Sequence, residues 1–210
     1  MPYPLILRAN TEGWRAFLAR RHQEAFKKNA PKIWQRDQFR CQFCGFQSKR
    51  FQEIVNIDGN YRNNVATNLT TACGLCAHCL FLGAQGLGHK VIFCPQMTQV
   101  QISQLVRVLF CATDSASELS ETAKALYRNM LKWTEPIEEI FGKGASEFET
   151  FGQSVLDTAG ITDEQYAEVM KYVRVLPNPK VFTEQIQYWS KTVMPLLLAT
   201  DAVAVRGNKK

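Results

Sequence analysis

Apolar positions follow a helical period over most of the chain and lose it over one long stretch near the front. Between Thr11 and Ala30, Trp14, Phe17, Leu18 and Arg21 recur at helical spacing, with Thr11 placed to cap the start. A first helix is predicted there, broken by Ala30-Pro31. "HKVIFCPQ" reads as a strand ended by Pro95. From Thr98 the helical period returns, with Val100, Ile102, Leu105, Val106 and Leu109 mostly on one side.

A second long helix is predicted over 115–141. Ser115 and Glu118 form a capping box, and Leu119, Ala123, Leu126, Met130 and Trp133 make an inward stripe. A further helix opens at Thr162 with Gln165 three residues on, and buries Tyr166, Val169, Met170 and Val173 before Pro177. The last runs over 183–198, with Ile186, Trp189 and Val193 inward and a kink at Pro195; the tail "RGNKK" is expected to fray. These stripes read as core, and so do Trp14, Trp34 and Trp189, although tryptophans can also anchor a partner.

The stretch without a helical period, residues 36–79, is rich in Asn, Gly and Cys, the composition of a segment that a metal folds. Of the chain's seven cysteines, five lie between Cys41 and Cys79. An odd count in a chain with no secretory signal argues against a disulfide framework. The start, "MPYPLILRANTEGW", has only "LIL" before Arg8, and no run reaches the roughly 18–20 apolar residues that span a bilayer. A cytoplasmic protein is expected.

With 210 residues, 46% hydrophobic and 21% charged, the chain can build an ordinary core, and no internal repeat points to a solenoid. The net charge of +6 is unevenly spread. Up to Arg50, eleven Lys and Arg face three acids, whereas 114–201 holds fourteen acids and eight bases. A basic front half can meet nucleic acid, acidic protein or anionic lipid, or the chain's own acidic half.

Two Cys-x-x-Cys pairs, Cys41/Cys44 and Cys73/Cys76, stand 28 residues apart. One pair is weak evidence; two at this distance in a reducing compartment point to one tetrahedral zinc held by soft thiolates. Cys76-x-x-Cys79 is also a pair, so Cys79 competes with Cys76 as the fourth ligand. Cys79, Cys94 and Cys111 otherwise read as small buried hydrophobes. Four thiolates leave no open position for water, so a structural Zn2+ is expected rather than a catalytic one.

"RDQFRCQFCG" followed by "NVATNLTTACGLC" resembles the zinc-stapled version of the HNH endonuclease fold. The resemblance implies a ββα module, and it also argues against the reaction. Val55 and Asn56, in "EIVNIDGN", fall where the family's general-base histidine stands, and an amide cannot take a proton from water at neutral pH. Asn68 matches the asparagine that pins the loop. Ala77 takes the place of the final His or Asn, and His78 comes one residue late, about 100° round a helix. Asp58 reads as a turn residue. No catalytic residue is assigned.

The whole chain further resembles the IcmJ (DotN) family of subunits of the type IVB (Dot/Icm) secretion coupling complex, through "TNLTTACGLCAHCLFL" and "QLVRVLFCATDSASELSETAKALYRNMLKW". This resemblance implies a non-enzymatic adaptor in a cytoplasmic complex recruited to the inner membrane. Its implied partner is an extended segment of a DotL-type coupling ATPase and, through it, the other adaptors. Neither nucleic-acid binding nor direct membrane insertion is implied. An HNH nuclease or nucleic-acid-binding zinc protein stays open as the second reading, because Arg36, Arg40, Lys49 and Arg50 crowd the first knuckle.

The fold expected is α+β, mainly helical: a zinc-stapled HNH-like ββα module followed by a helical bundle. An N-terminal helical segment spans 1–35, the zinc module 36–97, and a helical region packed on it 98–210.

Overall fold

The computed structural model describes residues 3–114, 118–158, 160, 162–193 and 195. The fold is mixed: helices with two small two-stranded sheets. Helices α1 (Thr11–Arg20) and α2 (Glu24–Arg36) lead to a loop, then strand β1 (Gln52–Asn56). β1 pairs antiparallel with β2 (Leu69–Cys73), in a register running from Gln52↔Cys73 to Asn56↔Leu69. β2 continues directly into α3 (Gly74–His78).

Strand β3 (Lys90–Phe93) leads to α4 (Gln99–Asp114), α5 (Leu119–Leu131), α6 (Glu135–Phe141), α7 (Phe148–Asp157) and α8 (Asp163–Met170). β4 (Val173–Leu176) then returns to pair antiparallel with β3, and α9 (Thr183–Tyr188) ends in a π-helical turn, Trp189–Val193. One apolar core joins front and back, from Leu7 and Phe17 through Leu75, Ile92 and Ile102 to Phe182 and Trp189. A smaller cluster, Ala30, Ile33, Ile54 and Leu69, lies beneath α2.

Several expectations need correction. The first helix is two helices, and the break falls at Arg21–Gln23 instead of at Ala30-Pro31. Pro31 sits exposed inside α2, where it forgoes one bond of the helical ladder, to the Lys27 carbonyl, while Ala30 and Ile33 bury the inner side. Asn10, not Thr11, caps α1: its side chain accepts from the Gly13 N–H at 2.7 Å. Leu18 faces solvent, while Phe17 and Arg20 turn inward.

The helix predicted over 115–141 is interrupted by a 3-10 turn at Lys132–Thr134. Pro136, in the first turn of α6, has no N–H to give to the Lys132 carbonyl, so the α-helical ladder cannot run through. Of the stripe, Ala123 and Met130 are buried, whereas Leu119 and Leu126 are exposed. Ser115 lies outside the described residues, as do the tail and most of the segment beyond Val193.

The capping box of Thr162 and Gln165 is present, and Met170, Ile186, Trp189 and Val193 are buried as expected. Val169 is exposed, and Val173 belongs to β4, a strand that the helical reading ran through. α7 was also unforeseen, since Gly152 weakens its helical signal. The glycine is required: a Cβ there would stand 2.1 Å from the Gly83 backbone nitrogen, so α7 crosses the 83 loop backbone to backbone.

Two buried histidines tie α3 to the second sheet. His78 Nδ1 and His89 Nε2 are 2.9 Å apart, and His89 Nδ1 accepts the Asn178 N–H at 3.0 Å. A backbone N–H can only donate, so His89 must carry its proton on Nε2 and donate to His78. Burial pushes His78 down to about 3 and His89 well below its usual range.

A proton on His89 Nδ1 would face the Asn178 N–H. His89 therefore stays neutral in the fold, while the unfolded chain takes a proton below about pH 6.5. Unfolding then binds the extra proton, and stability falls as pH drops below about 6.5, by up to about 1.4 kcal/mol per pH unit from this group. The expected result by NMR is a His89 imidazole signal that stays flat from pH 8 to 5 while urea stability declines. A signal titrating near pH 6.5 would contradict this reading.

Candidate metal centre

The first knuckle is set up by the residues just before it. α2 ends at Arg36, and Gln38 and Phe39 take positive φ values of 56° and 54°, which turn the chain sharply. A bridge between Arg40 and Gln47 closes a tight loop. Within it the Cys41 N–H donates to the Phe46 carbonyl at 2.8 Å, and the Gly45 N–H to the Cys41 carbonyl at 2.9 Å. Gly45, at φ +76°, supplies the left-handed residue this turn requires.

The same stretch clamps β2. Arg36 donates to the carbonyls of Leu69 (2.6 Å) and Ala66 (2.9 Å) and pairs with Asp37. Asp37 Oδ2 accepts the Thr71 N–H at 2.8 Å, and Thr71 returns its carbonyl to the Gln42 N–H at 2.8 Å. Burial works to raise the Asp37 pKa, but the hydrogen bonds from Arg36 and Thr71 outweigh it and hold the carboxyl below its usual range. Gln52 on β1 donates to the carbonyls of Phe39 and Phe46, at 3.1 and 3.2 Å.

The second knuckle lies at the strand-to-helix junction. Cys73 is the last residue of β2 and precedes α3, and Cys76 sits inside that short helix. The β1–β2 clamp therefore carries one pair onto the other. The sulfurs of Cys41, Cys44, Cys73 and Cys76 all lie within 4.8 Å of one another, with Cys44 and Cys73 at 3.7 Å. A tetrahedral ion with metal–sulfur bonds of about 2.3 Å needs sulfurs about 3.8 Å apart, so this donor set fits a four-thiolate ion such as zinc. Cys41, Cys73 and Cys76 are buried and Cys44 half-buried.

Four clustered thiols cannot all ionise unaided. Cys44 accepts from Cys41, Cys73 and Cys76, which pushes its pKa down. Burial pushes Cys73 up, and hydrogen bonds to Cys41, Cys44 and Cys73 push Cys76 up. A dication is what lets all four become thiolates.

Arg107, buried on α4, reaches the cluster from outside the two knuckles. Its Nη2 lies 3.2 Å from Cys73 Sγ and 3.6 Å from Cys44 Sγ, and its guanidinium covers the Phe46 ring at 3.8 Å. Burial alone would lower its pKa, but the electrostatic pull of the neighbouring Cys73, Cys44 and Cys76 sulfurs outweighs burial and raises it. The sequence does carry a signal for this residue. Arg107 shares the inward face of α4 with Ser103 and Phe110, and a lone cation at a core position needs an anionic partner. That partner was not identified from sequence.

Cys79, the rival ligand, points away from the cluster: its thiol donates to the Leu75 carbonyl at 3.3 Å, and burial pushes its pKa up. Cys94 and Cys111 are buried elsewhere.

Asn56 is 1% exposed and fully engaged. Its Oδ1 accepts from Arg20, and its Nδ2 donates to the carbonyls of Asn60 (2.9 Å) and Asn63 (2.6 Å). Arg20 is itself buried, donates also to the Ile54 carbonyl and to Asn64, and lies against Phe17, Phe26 and Tyr61. Asn68 bonds both ways to Asp58, and Asp58 also holds Asn60 and Asn63, so its carboxylate organises the 58–68 loop.

Ala77 is fully buried and His78 is committed to His89. Trp189 is fully buried, while Trp14 and Trp34 are half-buried against the core. Among the described residues, no helix is long and apolar enough to cross a membrane.

No protein-family model matches the chain. It is 38% identical over 194 residues to the type 4 apparatus protein DotN of Legionella pneumophila subsp. pneumophila (strain Philadelphia 1), an alignment that covers 90% of this chain and 91% of that protein.

Proposed function

Because the chain belongs to the family of the type 4 apparatus protein DotN, we propose that it is a non-enzymatic, zinc-stabilised adaptor of a type IVB secretion coupling complex. It binds a segment of a DotL-type coupling ATPase at the cytoplasmic face of the inner membrane and supports effector delivery. The observation that carries this reading is the end-to-end relationship to a secretion-apparatus protein.

The site supports the non-enzymatic part. The β1–β2–α3 unit and the two Cys-x-x-Cys knuckles beside it support its reading as an HNH-like module. The groups such a module needs for hydrolysis are replaced. Asn56 is sealed beneath Arg20, and Ala77 offers no donor atom. Four thiolates around one Zn2+ leave no coordination position for water, so the ion holds the knuckles together and does no chemistry.

The nucleic-acid reading rests on Arg36, Arg40, Lys49 and Arg50. Arg36 is spent on Asp37 and two carbonyls, and Arg50 lies over Phe51 and Tyr188, so half of that patch serves the fold.

Two assays separate the readings. A labelled 20-base-pair duplex with Mg2+ or Mn2+ is expected to stay intact and to bind only at low salt. The cytosolic region of the coupling ATPase is expected to co-elute with the chain at moderate salt. Cleavage, or steeply salt-dependent duplex binding with a slope of several phosphates, would overturn the adaptor reading.

A further inference from the structure

The stretch 114–201 is acidic, yet three of its eight bases meet at one cleft. Lys124 and Arg128 on α5 and Lys180, in the turn after β4, surround an apolar floor that includes Phe110, Tyr127 and Ile186. Among the described residues, Asp114 is the one acid of the lining. The cleft measures about 480 Å³, within the range of about 300–1,000 Å³ usual for ligand clefts. Its floor is held firmly: Phe110 packs edge-on against Tyr127 at 5.5 Å, and the Tyr127 hydroxyl donates to the Pro177 carbonyl at 2.9 Å.

The cations are largely unspent. Arg128 and Lys180 are exposed and make no ion pair among the described residues, and Lys124 meets only the exposed Glu121, one helical turn away. A basic rim over an apolar floor selects for a ligand carrying both features. Apolar side chains give up water to the floor, and carboxylates beside them meet the rim. A phosphodiester track would gain nothing from Phe110 and Ile186.

We propose that this cleft docks an acidic protein segment whose apolar side chains enter the floor while its carboxylates pair with Lys124, Arg128 and Lys180. The proposal rests on the reading of the chain as a coupling-complex subunit, which supplies a protein partner for the segment.

The test uses the full chain and the cytosolic region of the coupling ATPase, with Kd measured at 150 and 500 mM salt. The variant Lys124→Glu/Arg128→Glu/Lys180→Glu is compared with a control reversal of three exposed bases elsewhere, Arg15→Glu/Lys28→Glu/Lys49→Glu. The expected result is at least a tenfold loss for the cleft variant, a change under twofold for the control, and weaker wild-type binding at high salt. The milder Lys124→Gln/Arg128→Gln/Lys180→Gln variant is read instead if the reversal does not fold, and should lose about threefold or more.

Wild-type binding that the cleft variants retain in full overturns the cleft and leaves the adaptor reading standing. Absence of wild-type binding overturns the adaptor reading, and the cleft proposal with it. Duplex binding, or a concentration-dependent dimer in sedimentation, that the cleft variant abolishes would assign the cleft to phosphate or to a second copy, against the proposal.

Discussion

Cys73→Ser is expected to lose the metal and most of the soluble protein. Cys73 ends β2, leads into α3 and lies 3.7 Å from Cys44, so it joins the two knuckles. The binding energy of a structural zinc is folding energy, about 10–16 kcal/mol in small zinc peptides, and losing one thiolate forfeits a large part of it. For a chain with an ordinary stability of about 5–15 kcal/mol, a loss of even about 5 kcal/mol lowers the melting temperature by about 10–20 °C. Elemental analysis and calorimetry on the purified protein check this together. Cys79→Ser is the control: its thiol points at the Leu75 carbonyl, outside the cluster, so the zinc should stay. A Cys73→Ser protein with one full equivalent of zinc and the wild-type melting temperature would contradict the ligand assignment.

Arg107→Met is expected to have the second-largest effect, through charge rather than volume. A four-thiolate zinc carries two net negative charges in a buried site, and Arg107 is the cation beside it. Removing one partner of a buried charge pair costs about 3–5 kcal/mol. The thiolates of Cys73 and Cys44 would also lose their donor and become more electron-rich. In the cobalt-substituted protein the sulfur-to-metal charge-transfer band should move to lower energy, and zinc should pass faster to a chromogenic chelator. Arg107→Lys keeps the charge and should recover part of both, although it lacks the planar fork that spans two sulfurs. A methionine variant with an unshifted cobalt spectrum and wild-type zinc retention would reduce Arg107 to packing.

The metal-site candidate was legible because its signal is local: two Cys-x-x-Cys pairs whose spacing is fixed by one short hairpin. The start of α8 and the inward face of α9 were also legible, since caps and helical stripes act over a few residues. What failed was non-local. Strand β4 runs "VRVL", which pairs with β3 eighty or more residues earlier, so nothing beside it distinguished strand from helix end. α7 was hidden by Gly152, a residue that lowers helical propensity and is present because the backbone of Gly83 passes against it.

Arg20 and Arg107 were missed for the same reason. Each is an inward-facing cation whose partners, Asn56 and Cys73, lie more than thirty residues away. The basic count of the front half suggested a surface for nucleic acid, whereas Arg20 is buried and the exposed Arg36 is tied to Asp37 and two backbone carbonyls.

Holding other proteins is the function we propose for this chain. It is tested most directly by a tagged pull-down from native membrane and cytosolic extracts at moderate salt, nuclease-treated, with partners read by mass spectrometry. Recovery of a secretion-coupling ATPase together with small adaptor subunits is the predicted result. Recovery of no protein partner, with nucleic acid retained only when the nuclease is left out, would contradict it.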